Sequence, residues 1–267
     1  MSRAFRIVMF LVLAVIVGGA LVWWHYLRPA TNTSAAIPAP PTPPQSPSAP
    51  VVVPTPAPSA PAIRYPVAAA PAPRAVLPSL DRADAYVEKA LVELLGRKAV
   101  QSFLHLDGFA RNFVATVNNL GTENASAQMW PVNRTAGKLD TEMHDGGLVI
   151  GASNANRYAA FVRFADRVDT QRAVALYVRL YPLFQRAYEE LGYPGKYFND
   201  RVVEVIDDLL ATPVIAEPIK VKRISVDGAT AASGGLYIFD DPSLEAATAG
   251  QKILLRMGRE NAVKLMA

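Results

Sequence analysis

The feature that most constrains this chain is an uncharged apolar stretch near its amino terminus. Ile7 to Trp24 are 18 consecutive residues without a charged side chain, and eleven of them are Leu, Ile, Val or Phe. As a helix rising about 1.5 Å per residue, the stretch is about 27 Å long, close to the roughly 30 Å hydrocarbon core of a bilayer. Trp23, Trp24 and Tyr26 stand where an interfacial aromatic belt belongs. The sequence therefore predicts a transmembrane helix over residues 7–27.

The charges that flank this stretch predict its orientation. Arg3 and Arg6 precede it, whereas Arg28 alone follows closely. The positive-inside bias then places residues 1–6 in the cytoplasm and the carboxy-terminal bulk outside. A cleavable signal peptide is the competing interpretation, because the small residues at 18–20 resemble a cleavage site. Apolar residues continue beyond that point, which favours a retained anchor.

Small residues within the predicted helix raise the question of self-association. Ala14 and Gly18 are four residues apart, the spacing at which small side chains let two membrane helices approach closely. A homodimer through this pair is one interpretation. The other is that these are ordinary small residues of an apolar helix.

A proline-rich segment follows the predicted helix. Residues 28–78 contain 16 of the 22 prolines and few charged side chains. Such a segment cannot bury enough apolar surface to fold, and its prolines favour polyproline II conformations. We expect a disordered Pro/Ala-rich linker that separates a membrane anchor from a folded domain.

The charge of the chain is unevenly distributed. Residues 1–80 carry five Arg and no acidic residue, whereas residues 81–267 carry 22 Lys and Arg against 23 Asp and Glu. The folded part is therefore near neutral and lacks the basic footprint of a nucleic-acid-binding protein. The chain contains no cysteine, which excludes disulfides and thiol chemistry. Arg outnumbers Lys 19 to 8, a bias that fits a bacterial source, so the expected location is the inner membrane with the carboxy-terminal domain in the periplasm.

Apolar periodicity predicts that residues 79–267 fold into a mainly α domain. Helical spacing of apolar residues recurs along most of this part of the chain, with glycine or proline at the expected ends. The predicted helices start at Ser79 or Asp81, at Phe103, at Ser153 or Asn154, at Asp169 or Thr170, at Asn199 as a cap, and at Asp241, Gly250 and Arg259. Asp107-Gly108 is expected to restart the second helix. Pro182, inside the longest helix, predicts a kink or a break.

Two short β elements complete the prediction. His144-Asp145-Gly146-Gly147 lies between apolar runs at 139–143 and 148–150, the pattern of a hairpin with an Asp-Gly turn. Residues 219–226 and 236–239 are rich in β-branched and aromatic side chains and predict two further strands. Residues 121–137 are predicted to form a loop.

Two blocks of sequence resemble a known family. One runs from Leu176 through Tyr181-Pro182-Leu183-Phe184-Gln185-Arg186-Ala187-Tyr188-Glu189-Glu190-Leu191-Gly192-Tyr193-Pro194 to Pro213, and the other from Ala249-Gly250-Gln251-Lys252 to Ala262. Both are similar to the proteobacterial family named domain of unknown function 3014, over roughly residues 79–267. The resemblance implies an amino-terminal anchor, a Pro/Ala-rich linker and a helical domain, without an activity. Asp208 stands where the family pattern leads us to expect His.

Aromatic side chains supply the strongest indication of an interaction surface. Tyr177, Tyr181, Phe184 and Tyr188 recur at helical spacing, as a buried core stripe or as a floor for a sugar or peptide. Tyr193 and Tyr197 follow in the next loop. The expected interaction surface comprises Tyr181, Tyr188, Tyr193, Tyr197, Asn199 and Arg201.

Catalytic and metal-binding motifs are weak by comparison. Glu189 or Glu190 could serve as the acid of a glycan-cleaving enzyme, with Asp200, Asp207 or Asp208 as a second carboxylate. The pairs His105/Asp107 and His144/Asp145 lack the spacing of a metal-binding helix. Arg157, Arg179, Arg186, Arg201 and Arg256 are expected to pair with acids. We expect no catalytic residues, cofactor or metal.

The sequence thus favours a non-catalytic role. The first hypothesis is a single-pass membrane protein that presents a helical binding or scaffold domain to an envelope protein or cell-wall component. The alternative is a periplasmic enzyme that cleaves peptidoglycan with a carboxylate near Glu189 and Glu190.

Overall fold

The computed structural model describes residues 62–67, 77–125, 127–216, 218–224 and 236–267. The predicted transmembrane helix over 7–27, the Ala14 and Gly18 pair and most of the predicted linker lie outside these ranges. Within the described ranges, no helix is both long and apolar enough to cross a bilayer. The fold below is therefore that of the carboxy-terminal domain, which is mainly helical with a few short strands.

Three helices open the domain. After a 3-10 turn at Leu80–Arg82 they are α1 (Asp84–Leu95), α2 (Arg97–Phe103) and α3 (Phe109–Leu120). The predicted caps Ser79 and Asp81 were wrong, because α1 is preceded by Ala83 without a side-chain cap. The sequence prediction also merged α2 with the loop before α3, since this short helix begins with Arg97-Lys98 and has little apolar periodicity. Gly108 precedes α3 in a left-handed conformation, which confirms the predicted restart at Asp107-Gly108.

The predicted hairpin is present. Strand β1 (Thr141–His144) pairs antiparallel with β2 (Gly147–Ile150), with His144 opposite Gly147. Asp145 and Gly146 both have positive φ, 47° and 74°, as a two-residue type I′ turn requires.

Two helices follow the hairpin, α4 (Asn156–Asp166) and α5 (Thr170–Glu190). The side chain of Asp169 accepts a hydrogen bond from the Arg172 amide and caps α5, as the sequence predicted. The predicted break at Pro182 was wrong, because α5 continues through it. Pro182 itself is exposed, while Leu183 and Phe184 beside it are buried and hold the helix against its neighbours.

The next helix, α6 (Phe198–Leu210), carries much of the site described below. It begins one turn position earlier than predicted, because Tyr197 rather than Asn199 precedes its first residue. Asn199 is not a cap, since its side chain bonds to other parts of the chain. The carboxy-terminal part contains β3 (Val221–Ile224) paired antiparallel with β4 (Leu236–Phe239), then α7 (Pro242–Glu245), α8 (Ala249–Met257) and α9 (Arg259–Met266).

Helix α3 lies at the centre of the domain, in contact with α1, α5, α6 and α8. Its side chains are buried almost throughout, including Phe113, Val114 and Val117. The close packing of α8 depends on Gly250, because a Cβ there would lie 2.5 Å from a Leu209 methyl group and 3.2 Å from the Leu120 carbonyl oxygen. The Ala249-Gly250-Gln251 block thus fixes how closely α8 approaches α3 and α6.

A smaller apolar cluster lies apart from the main core. Val221, Phe239 and Leu255 are its buried members. The two hairpins meet here, because the Ile150 amide donates to the Ile219 carbonyl at 3.0 Å. Arg256 is buried beside this cluster with its guanidinium carbon 4.5 Å from the centre of the Phe239 ring.

A short piece of the predicted linker contacts the domain. Residues 62–67 contain neither helix nor strand, yet Val67 packs against the main core. The Arg64 and Tyr65 amides both donate to the Asp200 carboxylate. This stretch departs from the expectation of a disordered segment throughout 28–78, because its backbone finds partners on α6.

Candidate functional site

A surface cleft of about 410 Å³ lies where the end of α5, the following loop and α6 meet residues 62–67. One wall is aromatic and the other is charged. Its lining includes Tyr188, Tyr193, Tyr197, Lys196, Asp200, Arg201 and Glu204. The cleft combines stacking surfaces with both signs of charge, which suits a polar ligand with an aromatic or planar part.

The aromatic wall is held rigid by stacking. The rings of Tyr188 and Tyr193 have centroids 4.6 Å apart and are inclined by only 11°. Tyr188 is 3% exposed, so its ring supports the wall from within. The Asn118 amide donates to the Tyr193 hydroxyl at 3.2 Å, and the Lys196 ammonium lies 5.5 Å from the Tyr193 ring centre. Tyr193 is thus fixed at both its ring and its hydroxyl.

The charged wall is organised by Arg201. Its guanidinium donates to the Asn118 carbonyl at 2.8 Å and to the Glu204 carboxylate at 3.4 Å. Its Nε is buried and, among the described residues, has no hydrogen-bond partner. Glu204 also pairs with the guanidinium of Arg64. One carboxylate therefore joins α6 to residues 62–67.

The position of Arg201 depends on Gly121. A Cβ at Gly121 would lie 2.6 Å from Arg201 Nη2 and 2.9 Å from a methyl group of Val205. These distances are shorter than van der Waals contacts. Only glycine leaves room for the guanidinium to reach the Asn118 carbonyl.

The loop after α5 is fixed by Gln185. Its side-chain oxygen accepts from the Phe198 amide at 2.8 Å and from the Tyr181 hydroxyl at 3.1 Å. Its side-chain nitrogen donates to the Lys196 carbonyl at 2.8 Å and to Glu189 at 2.9 Å. One glutamine thus joins the end of α5 to the start of α6 and positions the residues between them.

A chain of hydrogen bonds runs from the core to residues 62–67. The buried Tyr177 hydroxyl donates to Asn199 Oδ1 at 2.8 Å, and Asn199 Nδ2 donates to the Tyr65 carbonyl at 2.8 Å. Burial raises the pKa of Tyr177 well above its ordinary value, with a smaller contribution from Tyr181. Tyr177 therefore remains a neutral donor and fixes the orientation in which Asn199 presents its amide.

Asp200 completes the contact with residues 62–67. Its two carboxylate oxygens accept from consecutive backbone amides, that of Arg64 at 3.1 Å and that of Tyr65 at 2.8 Å. Consecutive amides that converge on one anion form a nest. Here the peptide supplies the nest and the domain supplies the anion.

The structure brings together most of the predicted interaction surface. Tyr188, Tyr193, Tyr197 and Arg201 line the cleft. Asn199 lies beside it and contacts residues 62–67.

Tyr181 is the outlying member of the predicted surface. It is half-buried on α5, and its hydroxyl bonds to Gln185. Burial raises the pKa of Tyr181 above its ordinary value. It supports the neighbouring loop through Gln185 and is outside the cleft lining.

Several functional residues were missed from the sequence. Asn118 and Gly121 come from the end of α3, about 80 residues before α6. The Gly at that helix end was the available signal for a close approach, but it also fits an ordinary helix stop. Gln185 lies inside the strongest family-like block, and its role depends on a fold that the sequence did not display.

The remaining arginines show varied roles. Arg157 donates to Asn154 and to two carbonyls, and Arg179 lies over the Tyr86 ring. Arg256 donates to the Tyr237 carbonyl at 3.4 Å, and burial lowers its pKa. The expectation of carboxylate pairing holds for Arg201 but does not describe these contacts.

The carboxylates proposed for catalysis are exposed. Glu190 pairs with Arg111 at 3.0 Å, and Glu189 accepts from Gln185. Neither lies in the apolar surroundings that raise the pKa of a catalytic acid. The geometry therefore gives little support to acid catalysis at these two residues.

Metal-binding groups were also compared across the described ranges. No cluster of three His, Asp or Glu side chains is found there. His144 lies 3.4 Å from Asp145, and both are exposed at the hairpin turn. The pair resembles a surface contact.

Comparison with known proteins identifies a family but no characterised relative. The model of the family described as "Protein of unknown function (DUF3014)" matches residues 109–267. This match begins later than the expected 79–267 and covers α3 to α9, including the whole of α5 and α6. Searches against curated proteins and against solved structures gave no match.

Proposed function

The chain belongs to the DUF3014 family of proteins of unknown function, a membership that assigns no activity, and we propose from its geometry that it is a non-catalytic binding protein of the bacterial envelope. In this proposal residues 7–27 anchor the chain in the inner membrane, and the helical domain binds an envelope protein or cell-wall component in the periplasm.

One observation carries the binding role. The cleft presents a rigid tyrosine wall opposite fixed charges, and its charged wall already bonds to a peptide segment, residues 62–67. Rigid aromatic rings and preoriented charged groups are common in recognition surfaces, because little conformational entropy is lost when they bind.

The alternative of a glycan-cleaving enzyme is less well supported. It needs a carboxylic acid in an apolar cleft near a second carboxylate. Glu189 and Glu190 are exposed and already bonded to Gln185 and Arg111. The binding role uses the cleft as it stands.

Photo-crosslinking in intact cells tests the proposal. A photoreactive phenylalanine at Tyr197, in the cleft, is expected to yield a discrete adduct with one envelope component. The same group at Met143, which is 70% exposed on the hairpin, serves as the control and should yield none. The adduct should weaken with Asp200→Asn and persist with Asp207→Asn, since Asp207 is exposed on the same helix. Equal adducts from both positions would contradict the proposal.

A further inference from the structure

The contacts between α6 and residues 62–67 have the form of peptide recognition. Asp200 receives two backbone amides, Asn199 donates to a backbone carbonyl, and Glu204 pairs with an Arg side chain. These are three side chains within seven positions of one helix. Their partners lie more than 130 residues away in the chain.

Each contact selects a different property of the bound segment. The two amides require a backbone in which consecutive N–H groups converge, which excludes a proline at either position. Glu204 selects a cation at the first position. Pro66 keeps Tyr65 out of the helical region, so less entropy is lost on binding. Val67 adds an apolar contact with the main core.

The segment is held at its edge and leaves the rest of the cleft open. The side chains of Arg64 and Tyr65 remain substantially exposed, and the roughly 410 Å³ cleft extends from them to Tyr193 and Lys196. The contacts are few and largely exposed, so an external peptide can compete with an internal one.

Building on the proposed binding role, we propose that Asn199, Asp200 and Glu204 form a peptide-binding site whose ligand is a short segment of a partner protein bearing Arg, an aromatic residue and Pro in succession. Residues 62–67 are the internal occupant of this site, and the partner segment displaces them. The linker is then attached to the domain until a partner binds.

A direct binding measurement tests this assignment with the full chain in detergent micelles. The probe is a fluorescein-labelled peptide, Ala-Ile-Arg-Tyr-Pro-Val, capped at both ends. Arg64→Glu combined with Tyr65→Pro removes the cation and one amide of the internal occupant and vacates the site. Because an attached segment competes at roughly millimolar effective concentration, the vacated chain is expected to bind the peptide at least about ten-fold more tightly than the wild type.

Specificity is tested on the vacated chain. Adding Asp200→Asn is expected to weaken peptide binding about ten-fold, because a charged acceptor of two hydrogen bonds is lost. Adding Asp207→Asn makes the same charge change on an exposed position of α6 and should leave binding unchanged. A peptide with Glu in place of Arg should bind more weakly.

Three results would overturn the assignment: equal affinity of the wild-type and vacated chains, affinity insensitive to Asp200, or no binding to a vacated chain that keeps the wild-type circular dichroism spectrum. A wild-type dimer that becomes monomeric in the vacated chain would overturn the intramolecular position of the segment. A specific adduct at Tyr197 without peptide binding would leave the proposed binding role intact and remove only this site.

Discussion

Gly121 is a single residue on which the charged wall of the cleft depends. Its replacement by Ala places a methyl group against Arg201 Nη2 and Val205. We expect Gly121→Ala to lower the free energy of unfolding by about 1–3 kcal/mol, the usual cost of overpacking. Denaturant titration measures this change. Gly147→Ala is the control, because its new Cβ would have ordinary contacts, the nearest 3.7 Å away, and should change stability by less than about 0.5 kcal/mol. Equal stabilities of the two variants would contradict the packing argument.

Tyr177 gives the site a response to alkaline pH. Burial raises its pKa above the ordinary value of 10.0 in the folded state. As pH rises above about 10, the unfolded chain loses the phenol proton while the folded chain keeps it, so stability falls with pH. We expect a smaller fall in Tyr177→Phe. Unfolding measured at neutral pH and at alkaline pH separates this slope from the constant loss of the Asn199 hydrogen bond. Parallel pH profiles would show that the phenol remains accessible to hydroxide.

At the scale of elements, the connection between α5 and α6 is held by one side chain. Gln185→Ala removes bonds to the Phe198 amide and the Lys196 carbonyl. We expect amide hydrogen exchange in residues 192–198 to accelerate about ten-fold or more, since each lost bond contributes about 1 kcal/mol. Arg186→Ala, an exposed neighbour on the same helix, is the control. Unchanged exchange in Gln185→Ala would mean that the loop is held by its tyrosines instead.

The elements with strong apolar periodicity were predictable from the sequence. The start of α5 at Asp169-Thr170, the Asp-Gly hairpin and the division of α8 from α9 at Gly258 all follow from local capping and turn chemistry. Helix α2 was missed because seven residues give little periodicity. The continuity of α5 through Pro182 depends on tertiary packing, which local rules do not include.

The candidate site was predictable only in part. The tyrosines and Arg201 are concentrated in one block of sequence, so a local reading found them. The contact between Tyr65 and Asp200 joins residues separated by 135 positions. The local pattern around residue 65 is that of a proline-rich linker, and its binding to α6 becomes visible only when both are placed in space.

At the scale of the whole molecule, the proposal requires the domain to lie outside the cytoplasm. The chain has no cysteine, so single cysteines report location without background. We expect Met143→Cys, on the exposed hairpin, to react with a membrane-impermeant maleimide once the outer membrane alone is permeabilised. Ser2→Cys should react only after the inner membrane is lysed. The reverse pattern would place the domain in the cytoplasm and exclude a periplasmic partner.

The attachment of residues 62–67 to α6 joins the anchor region to the site, and the whole account depends on it. Arg64-Tyr65 is a trypsin site whose backbone is held by Asp200, and Arg74-Ala75 is a second site in the same part of the chain. When opening is fast, cleavage follows the fraction of chains in which the segment is released. The ratio of cleavage at the two sites therefore reports attachment within one sample.

The most direct test is this ratio, measured by mass spectrometry during brief trypsin digestion of the full chain. In Asp200→Asn we expect cleavage after Arg64 to rise about ten-fold relative to cleavage after Arg74, since a charged acceptor is lost, while Asp207→Asn matches the wild type. An Arg64 to Arg74 ratio that is the same in wild type, Asp200→Asn and Asp207→Asn would show that α6 does not hold the segment, and would contradict the account.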